Sequence, residues 1–186
     1  MAEPLSVPEF QTDRLRLRGL VPEDAPGLHL AYGNPDSMRF WDGPPGRSIT
    51  ETEERIRRSL ATDPSWHVAW ALLTRQDAQF VGMVNYHGRQ DAHRRLALGW
   101  ILVPRHERQG YMSEALRALL GYCFETLHMH RVEAEIEPAN VRSLRLAERL
   151  GFRSEGLLRD RLWVSSEPRS IFMYALLRTE WNVSCP

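Results

Sequence analysis

GWILVPRHERQGYMSEALRALLGYCF, residues Gly99 to Phe124, changes its periodicity once along its length, and that change decides the fold. The run from Trp100 to Val103 is apolar throughout and reads as a buried strand. Pro104 and the polar Arg105-His106-Glu107-Arg108-Gln109 end it. Apolar residues then recur at Met112, Ala115, Leu116, Leu119, Leu120, Cys123, Phe124 and Leu127, a spacing of three and four that predicts a helix with one apolar face. The first turn of a helix carries N–H groups without internal partners, and its dipole favours negative charge there. With Arg105, Arg108 and the permissive Gly110 at that end, the junction is a candidate phosphate cradle. The bland alternative is a strand–helix connection with solvated arginines.

Working back toward the N-terminus, Trp66 to Leu73 reads as a strand with Trp66, Val68, Trp70 and Leu72 on one face. A polar turn leads to a second strand, Phe80 to Tyr86, and Gly88 to Arg94 turns into a third, Leu96 to Val103. Ahead of these, Arg14-Leu15-Arg16-Leu17-Arg18 alternates as a half-buried strand, whose arginines could bind an anion but are most simply solvated. Pro22-Glu23-Asp24 starts a helix that Gly33-Asn34-Pro35 stops. Thr50 and Glu53 form a capping box for a charged surface helix reaching about Ala61. Between the two helices, Phe40 and Trp41 beside a Gly/Pro loop either line a substrate cleft or pin the loop to the core.

Beyond the central helix, Val132 to Glu137 alternates as a strand that a helical crossover makes parallel to its predecessor. Asn140 caps a short helix, Val141 to Leu150, closed by Gly151. Phe152 to Val164 and Ser170 to Arg178 read as a final hairpin joined through Ser165-Ser166-Glu167-Pro168. No linker, repeat or low-complexity segment interrupts this order. The expectation is one α+β domain over residues 10–181, a mixed and mostly antiparallel sheet flanked by helices.

Composition narrows the class. The 186 residues suffice for one domain with a full core. Hydrophobic content of 42% and charged content of 26% are ordinary for a soluble protein. All 24 basic residues are arginine, balanced by 24 acids to a net charge of zero, which argues against a general nucleic-acid or membrane-surface binder. Cys123 reads as core, and Cys185 stands near the end of the chain, so no disulfide framework is expected and a reducing cytoplasm fits. No signal peptide and no apolar run of membrane-spanning length is read.

Two blocks carry a resemblance. Arg105-His106-Glu107-Arg108-Gln109-Gly110 is similar to the acetyl-CoA-binding signature of the GNAT acyltransferases, Gln/Arg-x-x-Gly-x-Gly/Ala, with Arg108 where the first glycine stands. The stretch from Asn140 through Ser143 to Glu148-Arg149-Leu150-Gly151-Phe152 and Glu155-Gly156 resembles that family's Asn-x-x-Ser…Glu-Lys-Leu-Gly-Phe…Glu-Gly block. The opening Thr12 to Arg18 and the closing Tyr174 to Trp181 look like the ends of the ribosomal-protein N-terminal acetyltransferase branch.

The resemblance implies a GNAT-like fold whose parallel strands splay at the acyl-CoA site. It implies acetyl transfer from acetyl-CoA, a co-substrate, to a protein N-terminus or a small-molecule amine by direct attack in a ternary complex. A non-catalytic CoA-thioester sensor or scaffold is the alternative. The pyrophosphate would lie on Arg108, Gln109, Gly110, Tyr111, Met112 and Ser113 beside Arg105, with Leu102 and Val103 along the acyl arm and a free N–H near Leu102. Asn140 would hold the pantetheine as well as cap its helix, and Ser143 would protonate the departing thiolate. Arg108 would either crowd the pyrophosphate or pair with it. Phe40 and Trp41 are the candidate acceptor residues, and no metal ligand is assigned. A glutamate common among relatives is Ala97 here, so the general base stays open among Glu135, Glu137, His87, Tyr86 and a water relay. The chain would act as a monomer or homodimer, with no membrane or direct nucleic-acid partner.

Overall fold

The computed structural model describes residues 7–181, and Cys185 lies outside them. Eight strands form one sheet: β1 (Phe10–Gln11), β2 (Leu15–Gly19), β3 (Val68–Thr74), β4 (Phe80–Gln90), β5 (Arg95–Leu102), β6 (Arg131–Ile136), β7 (Arg153–Val164) and β8 (Glu167–Leu177). Their spatial order is β1-β2-β3-β4-β5-β6-β8-β7. Every neighbouring pair is antiparallel except β5 and β6, which run parallel as the crossover requires. Among the described residues, five α-helices complete the α+β fold: α1 (Ala25–Tyr32), α2 (Pro35–Met38), α3 (Ile49–Leu60), α4 (Tyr111–Gly121) and α5 (Val141–Arg149).

Strand alternation sorts the apolar residues onto two faces. Val68, Trp70 and Leu72 of β3, Val84 and Tyr86 of β4, and Leu96 and Leu98 of β5 bury against α4 and α5. Ala69, Ala71, Met83 and Ile101 point the other way, onto Leu28 of α1, Met38 of α2 and Ile56 of α3. A fully buried leucine or phenylalanine contributes about 1.5–3 kcal/mol. An exposed helix pair such as Glu53–Arg57 contributes about 0.3–0.5 kcal/mol, so packing decides the arrangement. The apolar stripe of α4 buries Met112, Ala115, Leu116, Leu119 and Leu120. Past Gly121 the helix widens into a π turn, Tyr122–Thr126, that keeps Cys123 and Phe124 in the core.

Local chemistry corrects four expectations. The α3 cap is Ser48, not Thr50: Ser48 Oγ accepts from Glu51 N at 3.1 Å, and Glu51 Oε2 accepts from Arg47 N at 2.8 Å. Trp66 lies outside β3 and is 51% exposed. Gly33-Asn34-Pro35 ends α1 but also starts α2, where Asn34 Oδ1 accepts from Ser37 N at 3.0 Å. The last hairpin turns in two residues, Ser165 (φ 51°) and Ser166 (φ 66°), a left-handed pair that suits strand twist and leaves Glu167 and Pro168 in β8.

The pairing of β5 positions everything functional. It is continuous with β4 from Ala97↔His87 to Leu102↔Gly82. Its pairing with β6 covers only Arg95↔Arg131, Leu96↔Val132 and Ala97↔Glu133, and β6 from Ala134 onward pairs with β8 alone. Two parallel strands therefore separate at Ala97 and leave a wedge between them.

Gly82 holds β5 in place. A Cβ there would stand 2.3 Å from Ile101 O and 3.0 Å from Leu102 Cα, whereas one on Gly121 would meet nothing within 4 Å. Gly82→Ala should therefore destabilise by about 1–3 kcal/mol through overpacking. Gly121→Ala, in a helix, should stabilise by about 0.5–1 kcal/mol. Urea unfolding of the two variants checks the contrast.

Candidate active site

The wedge is lined by backbone without strand partners. Val103 N–H donates to Val81 O at 2.9 Å, toward β4. Alternation along an antiparallel edge then turns the N–H groups of Leu98, Trp100 and Leu102 the other way; that of Leu98 belongs to the last parallel rung, Ala97↔Glu133, and those of Trp100 and Leu102 face the wedge. The expected free N–H near Leu102 is one of these.

At the wide end of the wedge the chain enters α4 through two left-handed residues, Arg108 (φ 61°) and Gly110 (φ 81°). Arg108, at the position of the family glycine, carries a conformation that costs a non-glycine residue about 1–2 kcal/mol. Glu107 N bonds Pro104 O at 3.1 Å, and the next donor with a backbone acceptor is Glu114 N, to Gly110 O at 3.1 Å. Between them, the N–H groups from Arg108 to Ser113 find no backbone acceptor among the described residues. No side chain caps this helix. A run of unpaired donors at a helix N-terminus fits an anion such as a pyrophosphate.

Arginines surround these donors. Arg14, just before β2, reaches across to stack 4.7 Å over the Tyr111 ring and to donate to Gln109 O at 2.8 Å. Glu114, in the first turn of α4, holds that guanidinium at 2.6 Å and accepts from Thr12 Oγ1 at 2.5 Å and Arg14 N at 2.8 Å. Arg149 Nε donates to Ser113 Oγ at 3.2 Å, and Arg142 pairs with Glu107. Arg105 Nε donates to His106 Nε2 at 3.1 Å, an acceptor role that suits a neutral ring. Desolvation and then the Arg105 charge hold that imidazole below its ordinary pKa. Arg108 is exposed and makes no ion pair among the described residues. The sequence offers Arg14 only as one of several possible anion binders and assigns Arg142 and Arg149 no place at the loop, because their nearness to it is purely tertiary.

On the α4/α5 face, Asn140 Oδ1 accepts from Ser143 N at 3.2 Å, so Asn140 is the α5 cap. Ser143 Oγ accepts from Trp100 Nε1 at 3.3 Å across the wedge. The indole occupies one acceptor site of the hydroxyl and leaves its O–H free to donate.

On the opposite face lie Asn85 and His87 of β4, Ala97 and Gly99 of β5, and Glu133, Glu135 and Glu137 beyond the wedge. Ala97 and Gly99 carry almost no side chain, and they leave a lane between the two polar rows. His87 is solvent-exposed, and its Nδ1 lies 3.1 Å from Asn85 Oδ1. Crowding by protein around the ring pushes its pKa below the ordinary imidazole value, against the pull of Glu135 and then Asp42. Glu133 pairs with Arg131 at 2.6 Å, Glu135 with Arg161 at 3.5 Å, and Glu137 with Arg169 at 2.8 Å. Tyr86 belongs to the other face, buried, with its OH donating to Pro64 O at 2.7 Å. Trp41 is half-buried, edge-on to Tyr32 at 5.5 Å, and Phe40 is half-buried under Arg39 at 5.4 Å.

The profile of the acetyltransferase (GNAT) domain family matches residues 14–153. The chain is 27% identical over 172 residues to the uncharacterized N-acetyltransferase YoaA of Bacillus subtilis (strain 168), covering 92% of this chain and 97% of that protein. It is 31% identical over 115 residues to the [ribosomal protein uS5]-alanine N-acetyltransferase of Escherichia coli (strain K12), covering 61% of this chain and 59% of that protein. Its fold superposes at a TM-score of 0.78, with 22% identity and 91% and 98% of the two chains covered, on the crystal structure of spermidine N-acetyltransferase from Vibrio cholerae in complex with CoA and spermine.

The clamp between Glu114 and the β2 side has a pH signature. Desolvation alone would raise the Glu114 pKa, but hydrogen bonds from Thr12, Arg14 N and the Arg14 guanidinium hold it below the ordinary carboxylate value. The stabilisation is therefore full above the unfolded value of about 4.3 and is lost as pH falls through the lower folded value. Glu114→Gln should cost about 1–2 kcal/mol near neutrality, and the gap to the parent should close in acid. Denaturant unfolding across pH measures it; a gap that persists unchanged in acid contradicts the assignment.

Proposed function

The chain belongs to the GNAT acetyltransferase family, whose acetyl donor is acetyl-CoA, and from that premise we propose that it acetylates a primary amine by direct attack in a ternary complex. The acceptor is a protein α-amino group, a reading supported by the relative that acts on the alanine of a ribosomal protein. A small-molecule amine is the alternative acceptor. Acetyl-CoA supplies an acetyl group already activated as a thioester, so the protein has mainly to position the amine and to manage charge.

The observation that carries the reading is the wedge, which joins free backbone donors to a hydroxyl on one face and an open lane on the other. The N–H groups from Arg108 to Ser113 hold the pyrophosphate, with Arg14, Arg105, Arg108 and Arg149 compensating its charge. The N–H groups that line the wedge, Leu102 among them, face the acyl arm beside Val103 and supply the oxyanion donor. Asn140 uses its side-chain oxygen on Ser143 N and keeps its amide nitrogen for the pantetheine. Ser143, steadied by Trp100, gives its proton to the departing sulfur. A module that only binds CoA thioesters has no use for a hydroxyl so held, which favours the enzyme over the scaffold. Phe40 and Trp41 border the acceptor side, where their packing onto Arg39 and Tyr32 shapes the loop as well as the entrance.

Removal of the proton donor tests the assignment. Ser143→Ala should lower kcat by about 10²-fold while acetyl-CoA affinity, measured by calorimetry, changes little. Thiol release with an alanine-terminated peptide as acceptor reads kcat. Equal losses in kcat and affinity would make Ser143 a binding residue and overturn its role.

A further inference from the structure

The proton that the acceptor must lose has no assigned destination. An amine arrives mostly as an ammonium ion and attacks only after deprotonation. The receiving group must lie on the lane side of the sheet, because the α4/α5 face is filled by Trp100, Ser143 and the core.

The titratable groups around that lane are few. His67, just before β3, and His87 of β4 are cross-strand neighbours, continuing the Val68↔Tyr86 register. His87 faces Ala97, which faces Glu133 of β6 in turn. Glu135 and Glu137 follow on β6, and Asp42 approaches from the loop between α2 and α3, close enough to influence His87. Glu133, Glu135 and Glu137 are each engaged by an arginine. His67 Nε2 is 2.7 Å from Ser59 Oγ. The two rings differ in exposure and place: His67 is half-buried, whereas His87 is exposed and pairs with Ala97 on β5; Asn85 Oδ1 accepts from His87 Nδ1–H, so the lone pair sits on Nε2. Ala97 is the last residue of β5 to pair with β6, so His87, its β4 partner, stands level with the apex of the wedge, one strand away.

We propose that His87 is the proton acceptor for the incoming amine and that Asn85 is its positioning residue. The assignment rests on the function proposed above and names its missing base. Nε2 takes one proton from the ammonium and passes it to water in the open lane. The freed nitrogen lone pair forms the N–C bond and the C–S bond breaks. The second nitrogen proton, lost as the amide forms, balances the one that Ser143 delivers to sulfur, so one proton in total leaves with solvent. The crowding around the ring keeps it neutral, and so able to accept, near neutral pH.

Gly99 fixes the geometry of the pair. A Cβ at Gly99 would stand 2.9 Å from Asn85 Oδ1 and 3.2 Å from Asn85 Nδ2. Gly99→Ala should therefore push Asn85 off His87 without touching either ring nitrogen.

The test compares the parent, His87→Gln and Gly99→Ala, with thiol release from acetyl-CoA read against an alanine-terminated peptide and against spermidine. The chain has no lysine, so the protein offers no ε-amine of its own to confuse the assay. His87→Gln should lower kcat/KM by about 10²-fold near pH 7. The deficit for the peptide should shrink to a few-fold near pH 9, where an α-amine of pKa about 8 is already neutral. Acetyl-CoA affinity should not change. Histidine-resolved NMR of the ligand-free protein should find the His87 pKa below about 6.5 in the parent, and shifted in Gly99→Ala. An undiminished rate, or a loss equal at both pH values, overturns the assignment of His87 alone. Absence of release by the parent with both amines overturns the proposed acceptor chemistry and this assignment together. Gly99→Ala with parental rate and an unshifted His87 titration overturns the role of Asn85.

Discussion

Everything functional in this chain depends on an interrupted pairing. β5 and β6 share three register positions and then part, and a buried strand edge left without its neighbour is normally a cost. Here the unpaired N–H groups all face one wedge. The sheet tolerates the interruption because each strand keeps its other partner: β4 holds β5 to Leu102, and β8 holds β6 to Ile136. The close fit of Gly82 against the backbone of Ile101 and Leu102 keeps β5 on course as it leaves. The result is a slot edged by unpaired backbone groups, open at one end onto the N-terminus of α4.

The two faces of the sheet then divide the chemistry. One carries α4, α5, Trp100 and Ser143, and in the function proposed above it is the side of the acyl donor. The other carries α1 to α3, the Asn85–His87 pair and the carboxylates of β6, and it is open where Ala97 and Gly99 leave no side chains. Because β-strand side chains alternate, a single residue step along β4 separates the structural Tyr86 from the exposed His87. Two of the arginines around the cradle, Arg14 and Arg142, are held by carboxylates of the neighbouring elements, Glu114 and Glu107, while Arg108 stands exposed. That arrangement orders them in advance, which lowers what binding must later supply.

Much of this was legible in the residues. The stripe from Met112 to Phe124 reads as a helix on a core, and Asn140 reads as a cap, because both patterns are local. The family blocks located the loop and α5. Other features were hidden for physical reasons. Ser48 and Thr50 both stand three residues before a glutamate, so the choice of cap depended on where α3 met Thr52 and Ile56 in the core. Arg14 and Glu114 are a hundred residues apart, and although the arginines from Arg14 to Arg18 read as possible anion binders, nothing in their alternation marks Arg14 as the one that reaches the cradle. The wedge itself is a property of backbone pairing and leaves no side-chain signature. The distinction between His87 and the other base candidates needed the register that sets it opposite Ala97, and the arginines that engage its rivals.

The central claim, that the unpaired donors of β5 and of the α4 entrance are one binding surface for acetyl-CoA, is tested most directly by amide hydrogen exchange with and without it. The account predicts fast exchange at the amides of residues 108–113 and at the wedge-facing amides of Trp100 and Leu102 in the free protein. It predicts that acetyl-CoA slows all of them together, while the amide of Val103, already bonded to Val81, changes little. Saturating acetyl-CoA that leaves the exchange of both groups unaltered would contradict it.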